Sequence, residues 1–208
     1  MATLQDIKGP YTAIFSLGNN CLPAIQLKAH GLRKFAGPLD WMSSLKLPQV
    51  TRLLRNRFQG MLHYPNLMLV NQATHELYNV VDVEYELYLN HDFFVHSNFP
   101  PHFAAYPEVK AKYDRRIARF LQTLASGGRI LFIRTDSSYE DVKELEAVLT
   151  ELCAGPFHLL VVNHAPVAEI EWLNWGLNRV CAIHMPNQDE WYGNGFRWTF
   201  LFNGIYLV

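Results

Sequence analysis

This chain lacks long hydrophobic runs, and it has no excess of charge of either sign. Its 208 residues carry 18 Lys and Arg against 19 Asp and Glu, for a net charge of -1. That balance gives no bulk attraction to nucleic acid or to an anionic membrane surface. Apolar runs such as Leu159–Val162 fall far short of the roughly 20 residues a bilayer span needs. The opening Met1-Ala2-Thr3-Leu4-Gln5-Asp6 lacks the charged-then-apolar layout of a secretory signal. A soluble cytoplasmic protein is therefore expected, without nucleic-acid or membrane partners.

Cysteine is scarce as well. Cys21, Cys153 and Cys181 are the only three. They are widely spaced and odd in number, with no Cys-x-x-Cys, which argues against both a disulfide framework and a zinc site. His91, Asp92 and His96 are close in sequence, but their spacing matches no standard metal site. There is no G-x-G-x-x-G, no Walker P-loop and no H-E-x-x-H helix. No cofactor or metal is expected. Internal repeats and low-complexity segments are also missing.

What remains is a globular composition, 50% hydrophobic and 18% charged, enough for one domain over residues 1–208 with its own core. Tyr11–Leu17 reads as a buried strand ending at Gly18. Residues 21–30 read as a helix, with Pro23 in its first turn and Gly31 just past its end. Leu47–Arg57 and Glu108–Ser126 read as further helices, the second closed by Gly127-Gly128. From Arg129 the pattern alternates. Strands are expected at 129–134, 157–162 and 180–183, with a helix at 139–153 and a short helix at 165–177. Continuous apolar strands alternating with helices indicate an α/β three-layer sandwich around a mostly parallel sheet. Residues 71–107 are aromatic and irregular, and an insertion or subdomain is expected at about 58–107.

The candidate chemistry sits at the carboxyl edge of the first strand, where ligands bind in open parallel sheets. Cys21 lies at the start of a helix. There the unpaired N–H groups favour a thiolate and can hold an oxyanion, which makes it a candidate nucleophile. Asn20 is a candidate contact to a substrate carbonyl, whereas Asn19 reads as a turn residue tolerant of left-handed backbone. Asp40 stands between apolar neighbours and can orient a histidine or hold Arg33. Trp41 can line a pocket. Arg134 ends a strand at the same edge, suited to an anionic substrate group. A cysteine nucleophile needs a base. His164 and His184 follow predicted strands and are favoured by topology, while His91 in Asn90-His91-Asp92-Phe93 is a third option.

Ser16-Leu17-Gly18-Asn19-Asn20-Cys21, then Gly31-Leu32-Arg33 and Pro38-Leu39-Asp40-Trp41, resemble a bacterial family labelled putative papain-like cysteine peptidases. His91-Asp92-Phe93, Tyr113–Phe120 and Phe132-Ile133-Arg134 extend the resemblance over most of the chain. Leu39 departs from it, standing where the family has Phe. The resemblance implies Cys21 as nucleophile, His91 as base and Asp40 as third member. The strand–helix alternation differs from papain, whose cysteine begins a long helix packed on an antiparallel barrel. The reading is thus a cysteine-dependent hydrolase or acyl transferase acting on a peptide, glycan or small molecule. The alternative is a non-hydrolytic α/β protein that binds, or transfers a group to, a glycan or nucleotide, with Gly18–Cys21 as a backbone cradle.

Overall fold

The computed structural model of the chain describes residues 2–208. Strand β1 (Gly9–Tyr11) leads into β2 (Ala13–Ser16) and helix α1 (Leu22–Ala29). Strand β3 (Met42–Ser43) and helix α2 (Leu47–Arg55) follow, then three strands, β4 (Leu67–Gln72), β5 (Leu77–Asp82) and β6 (Leu87–Phe94). Helix α3 (Tyr106–Ala125), β7 (Ile130–Thr135), α4 (Tyr139–Leu152) and β8 (Phe157–Ala165) form the next alternation. The chain closes with β9 (Glu171–Leu173), β10 (Val180–Pro186), α5 (Gly195–Phe202) and β11 (Ile205–Leu207).

The central sheet runs β2-β7-β8-β10-β9. Its first four strands are parallel, and β9 adds antiparallel to β10 at one edge. Because successive side chains in a strand point to opposite faces, each strand divides its residues between two cores. Phe15, Phe132, Leu159 and Ala182 pack into the core that holds side chains of α2, α3, α4 and the smaller sheet. Ile14, Ile133, Leu160, Val162 and Ile183 pack into the other, with Leu22 and Leu27 of α1 and Trp198 of α5. These are the layers of an α/β sandwich. Phe120 of α3 meets Phe15 edge-on with ring centroids 4.7 Å apart, which seats the long helix over β2.

Two sequence expectations change. The helix expected at 165–177 is absent, and β9 runs there instead. Pro166 disfavours helical backbone at the residue before it, and the open edge of β10 supplies a ladder for Glu171–Leu173. The irregular stretch resolves into an antiparallel four-stranded sheet, β3-β6-β5-β4. Register shifts between Leu69 and Asn71 and between Tyr78 and Val80 break the period-2 alternation, and that alternation is the sequence signature of a strand. The smaller sheet begins beside the Gly18 turn, since the Ser44 N–H donates to the Asn19 carbonyl at 2.8 Å.

Candidate functional site

The turn Gly18-Asn19-Asn20-Cys21 joins β2 to α1, and several contacts hold its shape. Gly18 has φ +83°, and a Cβ placed there would lie 2.3 Å from Ser44 Oγ. Only glycine accepts both conditions. Asn19 has φ 65°, so it does provide the left-handed backbone its residue type suggested. Its side chain does more than that. Asn19 Nδ2 donates to Asp136 Oδ2 at 3.0 Å, tying the turn to the end of β7.

Arg134 lies directly beneath the turn. Its side chain is fully buried, and its donors are committed to the protein. Nη1 donates to the Leu17 carbonyl and Ser44 Oγ, Nη2 to the Ser44 carbonyl at 2.7 Å, and Nε to Ser137 Oγ. Burial works against the guanidinium charge, while the Asp136 and Asp141 carboxylates support it. A guanidinium stays protonated at neutral pH. The sequence suggested Arg134 as a grip for a substrate anion, but in the structure it cross-links three loops under the site.

Cys21 is the N-cap residue of α1. Asn20 Oδ1 accepts from the Leu22 N–H at 2.9 Å, and Pro23 has no N–H to offer. The first turn therefore exposes fewer amides than a helix start usually does. Cys21 is half-buried. That burial pushes its thiol above the ordinary value, and its own backbone N–H only partly opposes the shift. Burial thus works against the thiolate that a helix start was expected to favour.

Strand parity separates the two histidines that topology favours. His164 shares the face of Leu160 and Val162, the face that α1 covers. His184 alternates with Ile183 and Met185 and points to the opposite face, where its Nδ1 lies 3.8 Å from Glu171. The His164 side chain is 2% exposed. Its Nδ1 is 3.0 Å from Asp136 Oδ1, and its backbone N–H donates to the same oxygen. An Nδ1–H donor leaves Nε2 as a bare acceptor, and Nε2 has no partner. Burial opposes the charge on Asp136, but the hydrogen bonds from His164 and Asn19 outweigh it and hold the carboxyl below its usual range. Asp136 has φ 52°, so two strained residues, Asn19 and Asp136, meet through their side chains at this edge.

The residues that the resemblance implies cluster elsewhere. His91 lies on β6 of the smaller sheet, exposed, with its ring edge-on to Trp41 at 5.9 Å. Asp40 is 1% exposed, paired with Arg33 at 3.2 Å and accepting from the Gly37 N–H. Burial raises its carboxyl to about 6 against the opposing pull of Gly37 and Arg33. Asp40, Trp41 and His91 thus form one group, and Asp136 and His164 form another, tied through Asn19 to the turn that carries Cys21. Asp136 carried no motif in the sequence. Its position just past the end of an expected strand was the one available signal.

The profile of a family described as putative papain-like cysteine peptidase matches residues 12–166. The chain is 30% identical over 199 residues to an uncharacterised protein of Acanthamoeba polyphaga mimivirus, in an alignment covering 86% of this chain and 80% of the viral one. No solved structure matches the chain.

Proposed function

The chain belongs to the putative papain-like cysteine peptidase family, and from that membership and the geometry of the sheet edge we propose a thiol hydrolase with Cys21 as nucleophile. His164 is its base, and Asp136 orients that base. The observation that carries the assignment is the connected chain Asn19–Asp136–His164. It links the turn bearing Cys21 to a histidine whose free nitrogen faces the layer of α1. His91 belongs to the other group and has no such link.

The proposed steps follow from the protonation states. The thiol is neutral at rest, so its proton leaves as the sulfur attacks. His164 Nε2 takes that proton while Cys21 Sγ bonds to a carbonyl carbon. The backbone N–H of Cys21 stabilises the oxyanion, and the proton passes to the leaving group. Water then hydrolyses the thioester with His164 again as base. Asp136, held ionised by its neighbours, keeps Nδ1 protonated and steadies the imidazolium. Hydrogen bonds of this kind are often unmade in the free enzyme and tighten on the substrate, which accommodates the unpartnered Nε2. The binding-protein alternative needs a cradle of free amides at the start of α1, and Asn20 and Pro23 between them remove two of those.

The test uses p-nitrophenyl acetate as a generic acyl donor. A burst of p-nitrophenol near one equivalent, with the acetyl group mapped to Cys21, is expected. It should be absent in Cys21→Ala and slowed by about 10²-fold or more in His164→Ala, while His91→Ala keeps the wild-type rate. Equal acylation in the Cys21→Ala protein would sink the assignment. Loss of the burst in His91→Ala alone would transfer the base to the other group.

A further inference from the structure

The central sheet ends at β9, and no strand lies along its outer side among the described residues. The N–H and C=O groups on that side are a template for another strand. Glu171-Trp172-Leu173 carries neither Lys nor Pro, two of the residues that blunt such edges. Three residues offer only a few main-chain hydrogen bonds. Most of the affinity of an added strand must therefore come from side chains.

Those side chains have places to go. Trp172 stands opposite Ile183 in the ladder, so its ring lies on the face that α5 covers. Two cavities open on that face, and Trp172 lines both. One, of about 390 Å³, lies toward the start of β9 among Ile170, Phe196 and Phe200, with Arg197 and Glu169. The other, of about 270 Å³, lies toward the end of β9 among Leu4, Leu173, Cys181 and Ala182. Trp172, Phe196 and Phe200 are each more than half exposed, so the groove is open to solvent. Arg197 stacks on Phe196 at 4.3 Å and is matched by Glu169 at 3.2 Å, which leaves the lining without net charge. On the opposite face Glu171 is exposed. Among basic groups of the described residues it meets only His184, at 3.8 Å.

We propose that β9 and its two cavities form a docking edge for an extended peptide of apolar–basic–apolar pattern, added to the sheet as a further strand. Residues i and i+2 of such a peptide project from one face about 7 Å apart. That spacing straddles a single side chain, so the two apolar residues enter the cavities on either side of Trp172. The residue between them projects to the other face, where Lys or Arg meets Glu171. Main-chain pairing gives the orientation, and the alternating side chains give the selectivity. The docking edge lies four strands from β2, which leads into the Cys21 turn. At about 4.8 Å per strand the separation is roughly 19 Å, so the edge does not rest on the thiol assignment.

The test measures fluorescence anisotropy of a labelled acetyl-Ser-Thr-Phe-Lys-Phe-Thr-Ser-amide against the intact protein. Saturable binding is expected, weakened at least about tenfold in Trp172→Ala, as loss of a central aromatic anchor requires. Replacing the peptide lysine by glutamate should weaken binding at least about threefold, and Glu171→Lys should reverse that preference. Two further peptides are N-methylated, one at the lysine and one at the next residue. Successive N–H groups of a strand point to opposite sides, so one of the two should lose about tenfold and the other should bind as the parent does. Amide hydrogen exchange of the unmutated protein gives a readout that needs no variant to fold, and protection should rise at β9. The proposal is overturned if the peptide does not bind saturably, if both methylated peptides bind alike, or if folded Trp172→Ala binds as tightly as wild type. Self-association of the protein that Trp172→Ala abolishes would assign the edge to a second copy and likewise overturn it.

Discussion

Replacing Gly18 by alanine tests how tightly the turn beneath Cys21 is determined. The new methyl group would sit 2.3 Å from Ser44 Oγ, in a residue with φ +83°. A left-handed conformation costs a residue with a Cβ about 1–2 kcal/mol. The clash is relieved only if the Ser44 hydroxyl moves, and that hydroxyl accepts from the buried Arg134 at 3.0 Å. Losing a hydrogen bond to a charged group costs about 1.5–3 kcal/mol. Gly18→Ala should therefore destabilise by about 2.5–5 kcal/mol. Ser44→Ala removes the same hydrogen bond and should cost about 1.5–3 kcal/mol.

The double variant is the sharper measurement. With the hydroxyl gone, the methyl group at residue 18 meets Arg134 Nη1 at 3.4 Å and the Cβ of residue 44 at 3.6 Å, neither of them a clash. The shared hydrogen bond is then lost once rather than twice. The double variant should cost about 2.5–5 kcal/mol, the same as Gly18→Ala alone, against a simple sum of about 4–8 kcal/mol. Urea unfolding of the four proteins with a common slope measures each value. The midpoint temperature of Gly18→Ala should fall by about 5–20 °C, at about 2–4 °C per kcal/mol for a chain of this size. Strict additivity in the double variant, or a Gly18→Ala protein as stable as the wild type, would refute the account of the turn.

Three further predictions concern titration and orientation. Burial raises the thiol of Cys153 to about 12 and that of Cys181 to about 11, and raises Cys21 as well. Iodoacetamide should label Cys21 slowly at pH 6, faster as pH climbs past about 8.5, and ahead of the other two; a labelling rate that levels off below pH 7 would show a resting thiolate instead. Asp40 is raised to about 6 in the folded protein from 3.8, so the folded state binds the extra proton and stability contributed by protonation is lost as pH rises from about 4 to 6. Relative to Asp40→Asn, the wild type should lose up to about 3 kcal/mol across that window in denaturant titrations at pH 4 and pH 7, and a constant difference would contradict it. Asp136→Asn should slow acylation of Cys21 by about 10²-fold or more without loss of fold, as removal of the group that orients a base requires; an unchanged rate would leave His164 without its orienter.

Much of the fold was legible because burial on both faces leaves a strong mark on sequence. The apolar strands β7, β8 and β10 and the amphipathic α3 and α4 stand out by composition and period alone. The turn at Gly18 was legible through its glycine and asparagines, and Cys21 through its place after them. The smaller sheet was not. Its strands are half-exposed and bulged, so their apolar residues lose the alternation that marks a strand. The edge strand β9 was hidden for a related reason, since three residues pair only because β10 offers them an open ladder.

The sequence by itself determined the layers, the parallel sheet, and the cysteine at its carboxyl edge. It could not determine which histidine accompanies that cysteine, because His91, His164 and His184 are equivalent as residue types. Tertiary structure sets them apart through parity and partners, and the proposed pairing of Cys21 with His164 rests on that difference. Strand alternation sends His164 to the face of α1 and His184 to the other, and Asp136 joins His164 to Asn19 across two strand ends. The same packing bears on the thiol. A helix start favours the thiolate, half-burial of Cys21 works against it, and burial is a property of the folded neighbours rather than of the residue.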